Sequence, residues 1–171
     1  KNYLPHLRRV EYTLHYNIYR TLTADEINEL YQQDYKQLSK FEFFKLYRSE
    51  TDSLKRQTIM RQALEVYPSF MAAANDLSAS LISSRKADPS LLRPFAGEKA
   101  PQEVNINQVI ALLNEGLFME SDSVARFITD NDATHTMLAV NAVLNGRFDD
   151  NYATIAKTST RNEVVMLLAM K

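Results

Sequence analysis

Apolar residues recur at helical spacing along most of this chain, and at strand spacing in one stretch only, near its start. Val10, Tyr12, Leu14, Tyr16 and Ile18 point one way, and Glu11, Thr13, His15 and Asn17 the other, which predicts a half-buried β-strand. A lone strand leaves its backbone donors and acceptors without partners, and no later stretch alternates comparably. The strand is therefore expected to pair with a copy from another molecule or to fold against the helices, because a bare edge is sticky.

From Thr23 onward the pattern is helical. Thr23 and Glu26 form a capping box before Ile27, Leu30 and Tyr31, and Ser39 and Glu42 form another before Phe43, Leu46 and Tyr47. Asp52 or Ser53 can cap a third helix, with Ile59, Met60, Ala63, Leu64 and Tyr67 inward and Pro68 ending it. Ser69 opens a helix carrying Phe70, Ala73, Ala74, Leu77 and Leu81 on one stripe. Asp88 followed by Pro89 predicts a short helix from Pro89 to Arg93, and Pro94 to Gln102 reads as a loop. Val104 to Glu115 is helical again, with Val109, Ile110, Leu112 and Leu113; Ser121 or Asp122 begins another, with Val124, Phe127 and Ile128.

Thr134 to Ser159 reads as two short helices packed across a glycine turn. Met137, Val140, Val143 and Leu144 lie at helical spacing, Ala139 and Ala142 permit close approach, and Gly146 stands where a left-handed cap is wanted. Asp149 can cap the second helix, which turns Tyr152, Ile155 and Ala156 inward. A last capping box, Thr160 and Glu163, precedes Val164, Leu167 and Leu168.

A weak internal repeat is visible. Leu113-Asn114-Glu115-Gly116-Leu117-Phe118 resembles Leu144-Asn145-Gly146-Arg147-Phe148, each between two helices. First helices of successive pairs start near Ser39, Ser69, Val104 and Thr134, spacings of about 30 to 35 residues, the period of tetratricopeptide-type pairs. A non-repetitive bundle of short helices is the alternative. The expected fold is mostly α: roughly four tetratricopeptide-like antiparallel helix pairs with a terminal capping helix, after one N-terminal strand. Residues 1–20 form the extended segment of a preceding domain, and residues 21–171 the helical domain.

Composition narrows the function classes. The chain has 171 residues, 45% hydrophobic and 24% charged, with three Gly and five Pro, values that suit a helical globular domain. A formal net charge of -1 supplies no basic field to draw it to nucleic acid or an anionic membrane. No apolar run approaches the roughly 20 residues of a membrane helix. With no Cys, disulfides and thiolate metal sites are excluded. The chain begins at Lys1 rather than Met, which is expected of a fragment or processed form of a longer protein.

Chemistry-bearing constellations are sparse. His6, His15 and His135 are scattered, with no second His at the spacing of a helical metal site, and Asp132 lies three residues before His135 with a capping role available. Asp130-Asn131-Asp132 and Asp149-Asp150-Asn151 look like calcium-loop pieces but lack the following Gly and distal Glu; helix capping is favoured for both. The serines, such as Ser78, Ser80, Ser83 and Ser84, sit in no Gly-x-Ser-x-Gly elbow. Gly97, Gly116 and Gly146 cannot form a phosphate loop. Lys36, Lys40, Lys45, Arg48, Lys55, Arg56 and Arg61 interleave with Glu42, Glu50 and Asp52, the pattern of a solvated face. Of nine Tyr, all but Tyr152 fall between Tyr3 and Tyr67, which fits packing of the strand on the helices or a partner-binding face. No catalytic, cofactor-binding or metal-binding residue is assigned, and the partner-binding surface is left unassigned.

Two stretches resemble a known family. Leu7-Arg8-Arg9-Val10-Glu11 followed by the alternating strand resembles the last strand of OmpA-like peptidoglycan-binding domains. Leu22-Thr23 through Glu26, Leu38-Ser39 through Phe44, Tyr67-Pro68 leading into Ala72-Ala73-Ala74-Asn75, and Asn145-Gly146-Arg147-Phe148-Asp149 resemble the tetratricopeptide-like C-terminal region that follows such domains in envelope proteins of Bacteroides-type bacteria. The chain departs from that pattern at Ser83-Ser84-Arg85-Lys86-Ala87-Asp88, where the usual Gly-Asp turn has no Gly. The resemblance implies a cell-envelope location, periplasmic or outer-membrane associated, and peptidoglycan contact only through an upstream domain whose contacting residues precede this chain. The expected function is a non-catalytic protein-protein interaction module that takes a protein or peptide partner. It needs no cofactor, no nucleic acid and no direct membrane insertion, and the fragment can form a strand-mediated dimer. An architectural spacer is the main rival and an enzyme the third reading. A binder is expected to expose apolar or aromatic residues along a groove, and a spacer to be uniformly polar.

Overall fold

The computed structural model describes residues 21–147, and within them the chain is all α. The predicted strand at residues 10–18, the second helix of the Thr134 hairpin and the Thr160 helix lie outside the described residues. Seven helices follow one another: α1 (Ala24–Asp34), α2 (Lys40–Ser49), α3 (Ser53–Val66), α4 (Met71–Ser83), α5 (Gln102–Asn114), α6 (Phe118–Ala125) and α7 (His135–Leu144). Short 3₁₀ turns occupy Tyr35–Gln37 and Pro89–Leu91. Each helix packs on the next in the chain, so the architecture is a sequence of adjacent pairs.

The first helix starts are set by local chemistry. Both capping boxes form: Thr23 and Ser39 accept from the Glu26 and Glu42 amides, and those glutamates accept from the cap amides in return. Asp52 caps α3 by accepting from the Leu54 and Lys55 amides at 2.8 and 3.0 Å. Those two bonds hold its carboxyl below the usual value.

Inward stripes then build the core. Phe43, Leu46 and Tyr47 of α2 meet Ile59, Met60 and Ala63 of α3, Ala73 and Leu77 of α4, and Ile27 of α1. A second cluster joins Ala74 of α4 and Val104 of α5 to Leu92, beneath the loop residues Phe95, Ala96 and Ala100. A third joins Val109 of α5, Ala125 of α6 and Ile128, with Met137 and Leu138 of α7 against it. On α7 the small residues Ala139 and Ala142 are buried, while Met137, Val140 and Leu144 are half-buried.

Several boundaries differ from the sequence expectation. The segment after Asp88 is a 3₁₀ turn, Pro89–Leu91, instead of a helix to Arg93. Helix α4 starts at Met71, two residues after Ser69, with Phe70 as an uncapped entry. Helix α6 starts at Phe118, so Ser121 and Asp122 are interior residues and not its cap. The cap position of α6 is Leu117, which closes the turn after α5 through its amide to the Leu112 carbonyl and has no side-chain acceptor to offer. Helix α7 is entered through Asn131, whose side chain accepts from the Ala133 and Thr134 amides, and neither Asp130 nor Asp132 supplies the cap.

Three helices end in one geometry. After α4, α5 and α7, a residue with positive φ donates to a carbonyl of the last helical turn, and the next residue donates one residue deeper: Arg85 to Ile82 and Lys86 to Leu81, Gly116 to Leu113 and Leu117 to Leu112, Gly146 to Val143 and Arg147 to Ala142. This is the Schellman closure, and it uses up helix carbonyls that would otherwise be unpaired. The turn without Gly therefore keeps its geometry, with Arg85 held at φ 57°. A side chain there costs about 1 kcal/mol, which Gly avoids. Gly116→Ala is expected to destabilise by about 1 kcal/mol through backbone strain alone, since a Cβ meets nothing within 4 Å. Arg85→Gly should have the opposite sign, a gain of a few tenths of a kcal/mol after the larger chain entropy of Gly is subtracted. Urea midpoints of the two variants against the parent test both signs.

Candidate interaction surface

Helix α2 carries four aromatic residues in seven positions, and a helix can bury only one side. Phe43 and Tyr47 go inward. Phe41 and Phe44 fall on the opposite side and are 58% and 36% exposed. At the same helical spacing stand two cations: Lys45 Nζ lies 4.9 Å from the Phe41 ring centre, and the Arg48 guanidinium 5.5 Å from that of Phe44. The outer face of α2 is thus a stripe of two rings with a cation over each. The basic residues here are exposed, as the sequence leads one to expect of a solvated face; the rings they stack on are what that reading does not single out. The available signal was three Phe within four residues, which cannot share one side of a helix.

The stripe runs into a groove of about 450 Å³ between α2, the start of α3 and the outer face of α4. Its lining includes Tyr47, Arg48, Arg56, Asp76 and Ser80. Arg48 approaches Asp76 at 3.9 Å, and Arg56 is held by the Glu50 carbonyl, to which its Nε donates at 2.9 Å. The Tyr47 hydroxyl is buried and has no hydrogen-bond partner at bonding distance. Burial, and then the charge of Asp76, push this phenol far above its ordinary pKa, so it remains a proton donor.

The other tyrosines among the described residues pack. Tyr31 donates to Gln62 at 2.6 Å, Tyr35 to Glu65 at 3.0 Å and Tyr67 to the Leu38 carbonyl at 3.0 Å, tying the α1–α2 region to α3. Ring contacts extend this: Phe43 meets Tyr67 edge-on at 6.3 Å, and Lys40 lies over Tyr67 and Phe70.

A polar hub joins α6 to the end of α7. Ser121 donates to the buried Asn141 side chain, Asn141 donates to Asp122 at 3.0 Å, and Arg147 donates to both oxygens of Asp122. Asn145 donates to the Phe118 carbonyl at 3.1 Å. The residues that read as helix caps are the ones that lock two helices together. The Arg147 hydrogen bonds, then its charge, hold the Asp122 carboxyl below its ordinary value of 3.8 against the opposing effect of partial burial. A carboxyl with a lowered folded pKa adds stability above its unfolded value and loses it as the pH falls through the folded one. The stability gap between the parent and Arg147→Gln is therefore expected to be constant near neutrality and to close below about pH 3.8. The gap should be about 0.5 kcal/mol, the scale of a solvent-screened surface pair, because the Arg147 side chain is 53% exposed. Urea unfolding across the acid range reads it directly.

His135 pairs with Asp130 at 2.7 Å, and not with Asp132. His6 and His15 lie outside the described residues, as does the Asp149 segment. Among the described residues no three His, Asp or Glu side chains gather as metal ligands, and no helix is long and apolar enough to cross a membrane. No protein-family model, curated protein or solved structure matches the chain.

Proposed function

We propose that this chain is a tetratricopeptide-like helical module that binds a protein or peptide, without catalytic chemistry, within a larger bacterial cell-envelope protein. The observation that carries the binding function is the exposed ring-and-cation stripe of α2 running into a groove, the surface expected of a binder and not of a uniformly polar spacer. The repeat reading is supported by helix starts at Lys40, Met71, Gln102 and His135, which are nearly evenly spaced and close to the tetratricopeptide period. The Schellman positions Arg85, Gly116 and Gly146 keep nearly the same spacing. In this reading α2 and α3, α4 and the Pro89 turn, and α5 and α6 are successive pairs, the second pair having a shrunken partner for α4. Parentage and location rest on the OmpA-like resemblance of the first residues and the short motifs through the helices.

Affinity capture tests the reading, with the 171-residue chain as bait in envelope extract of a Bacteroides-type bacterium. A specific protein retained on the chain, and lost when exposed residues of α2 are substituted, is the expected result. Retention of nothing, together with unchanged peptidoglycan binding by the longer protein when this region is deleted, would establish the spacer.

A further inference from the structure

We infer that the outer face of α2, with the groove at its end, is the partner site and takes an acidic peptide segment bearing apolar side chains. This rests on the interaction-module reading above and names the partner's chemistry. Phe41 and Phe44 leave apolar surface in water that no element of the described fold covers, and burying that surface against a partner favours binding. The charged groups stacked on those rings are both cationic, Lys45 and Arg48. Of the nearby acids, Glu42 is engaged by its capping box, Glu50 accepts from the Asp52 amide, Asp52 caps α3, and Asp76 pairs with Arg48 at 3.9 Å across the groove, which leaves Lys45 as the cation with no acid assigned to it among these contacts. The stripe is thus charge-complementary to carboxylates placed beside apolar side chains. From Phe41 to Arg48 it extends about 10 Å, the reach of three or four residues of extended peptide. At its far end Arg48 and Arg56 border the groove.

The test is a titration of the isotopically labelled 171-residue chain, followed by amide chemical shifts, with a short synthetic peptide in which leucine and glutamate alternate. A matched peptide with glutamine in place of glutamate serves as control. Saturable shifts centred on Phe41, Phe44, Lys45 and Arg48 are expected, weakened about tenfold or more by Lys45→Glu with Arg48→Glu, by the glutamine peptide, and by raised salt. Phe41→Ser should weaken binding while leaving the circular dichroism and urea midpoint in place, since the ring is on the water side. Equal binding of the two peptides, or no shift on α2 with either, would overturn the assignment. So would self-association abolished by the same charge reversals, which would give the face to a second copy of this chain. If envelope capture retains a partner and the charge-reversed chain retains it equally well, the module reading stands and the α2 site falls.

Discussion

Phe43→Ala is expected to cost about 4 kcal/mol of folding stability. The ring is fully buried, meets Tyr67 edge-on at 6.3 Å, and sits where α1, α2, α3 and α4 share one cluster. Removing it deletes the transfer free energy of the ring and leaves a void that four helices cannot close together, because each is already fixed by its neighbours. Two residues away on the same helix, Phe41→Ala removes the same atoms from a position 58% exposed. It should change stability by less than about 0.5 kcal/mol. Equilibrium urea unfolding of the pair tests the assignment of faces on α2. A loss for Phe43→Ala well under the range of buried-ring truncations would mean that the ring is not in the core. A large loss for Phe41→Ala would mean that the outer stripe is covered by another part of the chain, and the proposed partner site would be closed.

That contrast also marks what could be read from the sequence. The capping boxes at Thr23 and Ser39 and the inward stripes of α2, α3 and α4 were legible, because they depend on residues three or four apart. The glycine turns at Gly116 and Gly146 were legible for the same reason, since only the local φ is in question. What the pattern misplaces are polar residues that belong to tertiary structure. Ser121 and Asp122 have the chemistry of a helix cap, and nothing local distinguishes a cap from a residue waiting for Asn141 and Arg147, a whole helix further along the chain. Arg85 is the reverse case: the sequence lacks Gly, yet the pairing of Lys86 with Leu81 and the packing of α4 against α3 and α5 impose the left-handed turn. The outer stripe of α2 was half legible, because the crowding of Phe41, Phe43 and Phe44 shows that some ring must face water but not which cations stack on it.

Asn105 belongs to the same illegible class, and its loss is the second large effect expected. It lies in the first turns of α5, is 1% exposed, and reaches back to Gly97 in the preceding loop. Its Oδ1 accepts from the Gly97 amide at 2.9 Å and its Nδ2 donates to the Gly97 carbonyl at 3.0 Å. A single side chain thus satisfies both backbone groups of a residue held at φ 140°, a conformation open to glycine and strained for any other residue. The loop so pinned carries Phe95, Ala96 and Ala100 onto the cluster of Ala74, Leu92 and Val104. Asn105→Ala leaves the Gly97 amide without a partner, leaves the Gly97 carbonyl only its bond from the Ala100 amide at 3.1 Å, and loosens that apolar cover, which together should cost about 2–3 kcal/mol. Asn105→Asp separates the two hydrogen bonds. The carboxylate can still accept from the Gly97 amide but meets the Gly97 carbonyl with no proton to offer, and burial raises its pKa above the unfolded value. Its deficit should therefore shrink as the pH falls through that raised value, where the protonated acid can donate, whereas the alanine variant shows no such recovery. Urea unfolding at neutral and acid pH measures both. Hydrogen exchange adds the location: the Gly97 amide should lose its protection in the alanine variant before the amides of α2 and α3 do, and keep more of it in the aspartate variant, where the carboxylate still accepts from it. Retained protection at Gly97 in the alanine variant would show that the loop is held by its apolar contacts alone.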